Sequence, residues 1–327
     1  MRPLSEFITL FQKLRRAPNR SFPSATLQKA PHKPFLLLAI MDLIQRKVIT
    51  TPFIDIRGDL DELIELFDDY WNALFGATQA SSIAFPFSRL NSEPFWELVP
   101  IDKADITATT INGVSSVNQL RSVAIGARLD GDLFRYMVNF DSREVLVKTI
   151  LESCFSPEGR QDTGKVIALH QGAFQYELFL EEKVQNSAIR EPQLGEGYCE
   201  ARNRGFRLAI IKNYDKRCAL CGVRIITPEG RSVVDAAHIV PWSKSKDDSI
   251  GNGMALCKLC HWSFDNGLIG VSERYKIILS DQMSRYPNAA GLLITLNSRD
   301  IVGPTVKDFW PKPENLSWHR NHWGLQQ

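Results

Sequence analysis

Apolar side chains recur at helical spacing in the first residues of the chain, at Phe7, Ile8, Phe11 and Leu14, and predict a short amphipathic helix. A polar, proline-containing stretch follows over 15–31. His32-Lys33-Pro34 then opens the run Phe35-Leu-Leu-Leu-Ala-Ile-Met-Asp-Leu-Ile, which has no breaker before Arg46-Lys47 and reads as a buried helix with proline in its first turn. Leu60, Leu63, Ile64, Phe67, Tyr70, Trp71 and Leu74 form one stripe of a second helix over 59–75. The character changes at Ile83. Phe85-Pro-Phe-Ser-Arg-Leu and Phe95-Trp-Glu-Leu-Val predict two short strands joined by a turn at Asn91-Ser-Glu-Pro.

From about 100 to 130 the pattern is irregular. Helices are expected from Asp130-Gly131 through Tyr136, over 142–155 and over 165–184, with Ser156-Pro-Glu-Gly-Arg-Gln-Asp-Thr-Gly between the last two as the best linker. A basic helix, 198–214, follows Glu191-Pro-Gln-Leu-Gly-Glu-Gly. The expected division is a mainly helical domain over 1–158, a helical connector over 159–194 and a C-terminal domain over 195–327, an α+β fold class.

At 327 residues two cores fit in the chain. The net charge of +2 permits a DNA partner without arguing for one, because cations on one face disappear in a sum. The most apolar run is shorter than a membrane span and is interrupted by Asp42, and the N-terminus lacks the pattern of a secretory signal. A cytoplasmic protein with no membrane partner is expected. Four of the six cysteines then stand out, because disulfides are rare in a reducing compartment.

Cys218-Ala-Leu-Cys221 and Cys257-Lys-Leu-Cys260 have the spacing of two zinc knuckles, able to hold one structural Zn²⁺ tetrahedrally. Between them Val233-Val-Asp-Ala-Ala-His238-Ile-Val-Pro reads as a strand turned by proline, and Asn252-Gly-Met-Ala-Leu leads back to the second knuckle. His261 and Asp265 follow at i and i+4, on one helical face where both reach one cation. The spacing calls for a β-hairpin and helix closed by a four-cysteine site.

With these residues the segment resembles the HNH family of ββα-metal nucleases. The resemblance implies that His238 is the general base, that Asn252 holds the loop carrying it, and that His261, with Asp265, binds a catalytic Mg²⁺ or Mn²⁺. It departs from many members at Ala237, where an acidic residue or histidine often serves as a further ligand. Asp235 is the candidate replacement.

In the N-terminal half, His32 and Lys33 at a helix start suit an anion. Phe85-Pro86 sets apolar groups beside Arg89. His32-Lys33-Pro34, Phe85-Pro86-Phe87-Ser88-Arg89-Leu90 and Trp96 together resemble the sulfur-binding domain of McrA-like restriction endonucleases, over roughly 1–155. What this implies is a type IV, modification-dependent restriction endonuclease of a defence system, acting on phosphorothioate double-stranded DNA. Phe85 and Pro86 would line an apolar cup for sulfur, and His32, Lys33 and Arg89 would hold flanking oxygens. The family often has tyrosine at Phe85 and a small residue at Arg89. In the segment 112–121, Asn118, Gln119 and Arg121 have the chemistry for base edges, and the run Arg202, Arg204, Arg207, Lys212 suits phosphates. Since one HNH site cuts one strand, a homodimer through 165–184 is expected. Two alternatives stay open at this point: an HNH nuclease for methylated or unmodified DNA, and a DNA-binding protein whose HNH fold is catalytically silent.

Overall fold

The computed structural model describes the chain apart from residues 77, 78, 80, 102–112, 196, 228–229, 286–290 and 326–327. It divides into two compact units, Met1–His170 with Pro228–Arg231, and Gln171–Thr227 with Ser232–Gln327. Among the described residues no helix is long and apolar enough to cross a membrane.

The first unit runs α1 (Leu4–Gln12), α2 (His32–Gln45), β1 (Phe53–Asp55), α3 (Leu60–Phe75), α4 (Ala84–Arg89), β2 (Trp96–Pro100), α5 (Val117–Val123), β3 (Ala124–Leu129), α6 (Gly131–Val138), α7 (Phe140–Cys154) and the start of α8 (Pro157–Gln185). Its sheet is antiparallel, in the order β1-β3-β2. A helix apolar on every side belongs in an interior, and α2 is buried continuously from Lys33 to Met41, with α3, α4, α6 and α7 packed on it. The carboxylate that interrupts the apolar run is paired through one oxygen: Asp42 Oδ2 accepts from Tyr70 at 2.8 Å and meets His170 Nδ1 at 2.8 Å. The other ring nitrogen of His170 lies 3.1 Å from Asp69. These bonds offset what burial of the charge would cost.

Three local expectations give way here. Phe85-Pro86-Phe87 is helix α4 and not a strand. Proline falls in the first turn, where its missing N–H has no bond to lose, and the Ser88 hydroxyl donates back to the Ala84 carbonyl at 2.8 Å. The irregular stretch before 130 contains α5 and β3, and α5 begins at a reciprocal capping box between Ser116 and Gln119. The supposed linker 156–164 is the beginning of the 29-residue helix α8, entered through Pro157. Its Gly159 is a close-packing residue, because a Cβ there would lie 2.2 Å from the Ala25 carbonyl oxygen.

The second unit takes in the end of α8, then α9 (Tyr198–Asn213), β4 (Val234–His238), α10 (Trp242–Ser245), β5 (Gly253–Cys257), α11 (Lys258–Asp265), β6 (Ile269–Val271), β7 (Ile277–Leu279), α12 (Gln282–Arg285) and α13 (Pro313–Trp323). β4 and β5 pair antiparallel, with Val234 opposite Cys257 and His238 opposite Gly253. Both α9 and α11 pack on this hairpin. Within the segment 165–184, Tyr176, Phe179 and Leu180 of α8 are buried in this unit's own core.

Candidate active site and cysteine cluster

The two knuckles close on each other through the backbone. Ala219 N–H donates to the Ala255 carbonyl of β5 at 2.7 Å, and Gly222, at φ +72°, makes the reversal after Cys221 that a side chain would strain. Cys257 sits at the N-cap of α11 and Cys260 in its first turn. The four Sγ atoms lie within 4.8 Å of one another. A tetrahedral ion with sulfur arms of about 2.3 Å requires sulfur–sulfur edges of about 3.8 Å, and Cys221 and Cys257 are 3.7 Å apart. Hydrogen bonds from Cys218 and Cys260 pull the Cys257 thiol far below its usual range. The donor set and its dimensions fit zinc.

His238 ends β4. Its ring stacks on Phe206 of α9 with centroids 4.0 Å apart and planes 7° from parallel. That approach depends on the residue opposite in the hairpin: a Cβ on Gly253 would meet Ile210 Cδ1 at 2.4 Å and the Phe206 ring at 2.9 Å. His238 Nε2 lies 2.7 Å from Asp248 Oδ1. Asn252 is wholly buried and ties the intervening loop at three points. Its carbonyl oxygen accepts from Val240 N–H at 2.9 Å, and its amide donates to the carbonyls of Val240 at 3.0 Å and Asp247 at 2.8 Å. The backbone exit from His238 is thereby held in one conformation.

His261 and Asp265 face each other one turn apart on α11, Nε2 to Oδ2 3.4 Å. Partial burial raises the Asp265 carboxyl above its ordinary range, with His261 opposing the rise only in part. The pair offers one nitrogen and one carboxylate with an open side, a set that suits a cation which keeps part of its shell for water and phosphate. Asp235 does not join it. It is exposed on β4 and pairs with Arg207 at 2.9 Å. Among the described residues only the four cysteines form a group of three or more ligand side chains this close together. The basic run on α9 is likewise committed: Arg202 pairs with Asp248 at 3.0 Å, and Lys212 with Glu177 at 3.0 Å and Glu181 at 2.9 Å.

In the first unit, His32 begins α2 inside an aromatic surround, 4.8 Å from Trp71 and about 6 Å from Phe22 and Phe85 between ring centroids. Burial, with help from the charge of Arg89, pushes its imidazole down to about 4, so at neutral pH it presents no charge to a phosphate. Lys33 is not a surface cation either. It is buried against Glu93 and donates to Ser92 at 3.0 Å. The Glu93→Ala protein should lose about 3–5 kcal/mol in a denaturant titration because it strands the Lys33 ammonium, whereas Lys33→Met with Glu93→Leu should come close to wild type. Equal losses in both would remove the buried pair from the account.

Phe85 and Arg89 stand half-buried one turn apart on α4, the guanidinium 4.8 Å from the ring centre, while Pro86 is buried beside them. Gln119 and Arg121 are already employed. The Gln119 side chain accepts from the Ser115 and Ser116 N–H groups, and Arg121 pairs with Asp61 at 3.3 Å. Asn118 is exposed, and position 112 lies outside the described residues.

Comparison with known proteins agrees with this division. The family model of the ScoMcrA-like DNA sulfur-binding domain matches residues 5–163, and an HNH endonuclease model, HNH_2, matches 218–272. Among solved structures, a modification dependent TagI restriction endonuclease aligns over 36% of this chain and 36% of its own, at 19% identity and a TM-score of 0.27. The chain thus spans about a third of that protein's length. No curated protein matches it. By these matches residues 5–163 are similar to the ScoMcrA-like DNA sulfur-binding domain, and residues 218–272 to the HNH endonuclease family.

Proposed function

We propose that the chain is a modification-dependent restriction endonuclease: its first unit reads phosphorothioate linkages in double-stranded DNA, and its second hydrolyses phosphodiester bonds nearby. The observation that carries the nuclease half is the hairpin-and-helix arrangement of His238, Asn252, His261 and Asp265 beside a closed cysteine quartet. His238 accepts the proton of the attacking water as the water oxygen bonds to phosphorus. The bond from phosphorus to the leaving sugar oxygen breaks, and solvent protonates that oxygen. A Mg²⁺ or Mn²⁺ held by His261 and Asp265 would offset charge on the scissile phosphate and the leaving oxygen. Asn252 keeps the base still between turnovers, and the cysteine site keeps β5 and α11 at a fixed angle.

The sulfur-reading half rests on the domain match and on the pair Phe85 and Arg89. A non-bridging sulfur is larger, softer and less hydrated than oxygen. The edge of Phe85 and the stem of Arg89 can cover it without stranding a strongly hydrated atom, which an oxygen would be. Of His32, Lys33 and Arg89, Arg89 is the half-buried cation beside Phe85 that can meet the linkage's charge.

The test is cleavage of plasmid DNA carrying phosphorothioate linkages. Nicking should stop in a chelator and resume when Mg²⁺ or Mn²⁺ is added back. Unchanged nicking in the chelator contradicts the role given to His261 and Asp265.

A further inference from the structure

We propose that Asp248 is a positioning residue for the catalytic base, fixing which nitrogen of His238 carries the proton. The inference rests on the reading of His238 as the base and adds a residue to it. Asp248 lies ten positions beyond His238 in the chain, near the far end of the loop that Asn252 secures. An Asx turn brings it back, with Ser249 N–H donating to Asp247 Oδ1 at 2.8 Å. Its carboxylate is almost wholly buried, and each oxygen has a separate task. Oδ1 meets His238 Nε2 at 2.7 Å. Oδ2 accepts from the Tyr176 hydroxyl at 3.0 Å and pairs with Arg202 at 3.0 Å. Arg202 is itself clamped, its guanidinium 4.0 Å over the ring of Trp242, at the start of α10.

A carboxylate beside an arginine is ionised, and an ionised carboxylate only accepts hydrogen bonds. The contact at Oδ1 therefore requires a proton on Nε2, which leaves the lone pair on Nδ1 as the one that can take a proton from water. With the Phe206 ring stacked on one face of the imidazole, the ring plane is fixed as well as the tautomer. Tyr176 gives the arrangement its direction by donating to Oδ2, and the Arg202 charge lies beside the same oxygen.

Asparagine at 248 has nearly the same shape but cannot satisfy the same partners. Its single carbonyl oxygen would go to Tyr176 and Arg202, and its amide would face His238. Nε2 would then have to accept, and the proton would move to Nδ1, where it blocks the lone pair the reaction needs. A loss of the order of 10²-fold is the scale for removing an orienting partner of this kind, and enforcing the wrong tautomer of a catalytic histidine has cost about 10⁴-fold in the serine-protease triad.

The experiment uses the full chain labelled with ¹⁵N at histidine, with the His238 signals assigned by the His238→Ala protein. In the wild type the two ring nitrogens should report a protonated Nε2 and an unprotonated Nδ1. In Asp248→Asn they should exchange roles. Single-turnover cleavage of whichever test duplex the wild type cuts faster should fall at least ~100-fold, while the affinity for that duplex stays within about twofold. A merely structural Asp248 would lower cleavage and thermal stability together without inverting the nitrogens. A wild-type His238 protonated on Nδ1 overturns the proposal even if the variant fails to fold. So does Asp248→Asn cutting within about threefold of wild type. His238→Ala that cuts at the wild-type rate overturns instead the reading of the base, and the nitrogen signals of the wild type separate the two failures.

Discussion

The His238→Ala protein should bind duplex DNA within about twofold of wild type and cleave it ~10²–10⁴-fold more slowly, the usual contribution of a positioned general base. The structure explains why the loss should be so selective. His238 has few structural duties: it stacks on Phe206 and meets Asp248 through Nε2, and it is not part of the buried apolar core. Losing the stack costs about 1 kcal/mol, small against a domain's 5–15 kcal/mol. Asp248 keeps Tyr176 and Arg202 on Oδ2, and only Oδ1 loses its partner. The loop stays in place through Asn252, whose three bonds do not involve the imidazole. Binding and single-turnover cleavage measured on one preparation separate the effects. Retained cleavage would mean that another group takes the water's proton, and the site as drawn would be wrong.

The Cys257→Ser protein should fail differently. Structural zinc contributes its binding energy directly to folding, about 10–16 kcal/mol for a complete site near neutral pH. Removing one of four thiolates surrenders several kcal/mol of that. Cys257 is the worst of the four to lose, because it belongs both to β5, opposite Val234, and to the N-cap of α11, which carries His261 and Asp265. At roughly 2–4 °C per kcal/mol for a unit of this size, its transition should fall by about 10 °C or more. The first unit has its own core, built around α2, and should melt where it does in the wild type. Calorimetry paired with metal analysis is the check: one zinc per wild-type chain, less in the variant, and one of two transitions displaced. A variant with full zinc content and an unmoved second transition would contradict the structural role of the quartet.

The chemistry of the second unit was more legible in the chain than its supports. Four cysteines at knuckle spacing and the order His238, Asn252, His261 are short-range patterns, each tied to a turn, a strand end or a helix face, and such patterns survive without tertiary information. Asp248 gave no such signal. It stands in a polar Lys-Asp-Asp-Ser stretch that reads as a solvated loop, and its burial follows from Tyr176 and Arg202, both distant in sequence. Asp235, a candidate ligand from its nearness to Ala237, pairs with Arg207 on a neighbouring helix.

The first unit shows the same limits. The stripe of α3 and the all-apolar α2 announced a core, yet the partners of polar groups could not be read. Lys33 at a helix start reads as an anion contact, and the fold sets Glu93 against it. The Ser116-to-Gln119 spacing is a readable capping signal, and the Gln119 side chain serves that cap. Phe-Pro-Phe suggested a strand because aromatic residues favour sheets, but a proline three residues into a helix loses nothing there.

The central claim joins a sulfur reader to a nuclease, and two duplexes of identical sequence test it, one bearing a single Rp phosphorothioate linkage and the other none. Sequence contexts should include GAAC/GTTC, GATC and GGCC. The account predicts tighter binding of the sulfur duplex by about 5–150-fold, the equivalent of ~1–3 kcal/mol for one discriminated group, with cation-dependent cutting near the modified linkage. Equal binding and equal cutting of both duplexes in every context would contradict it.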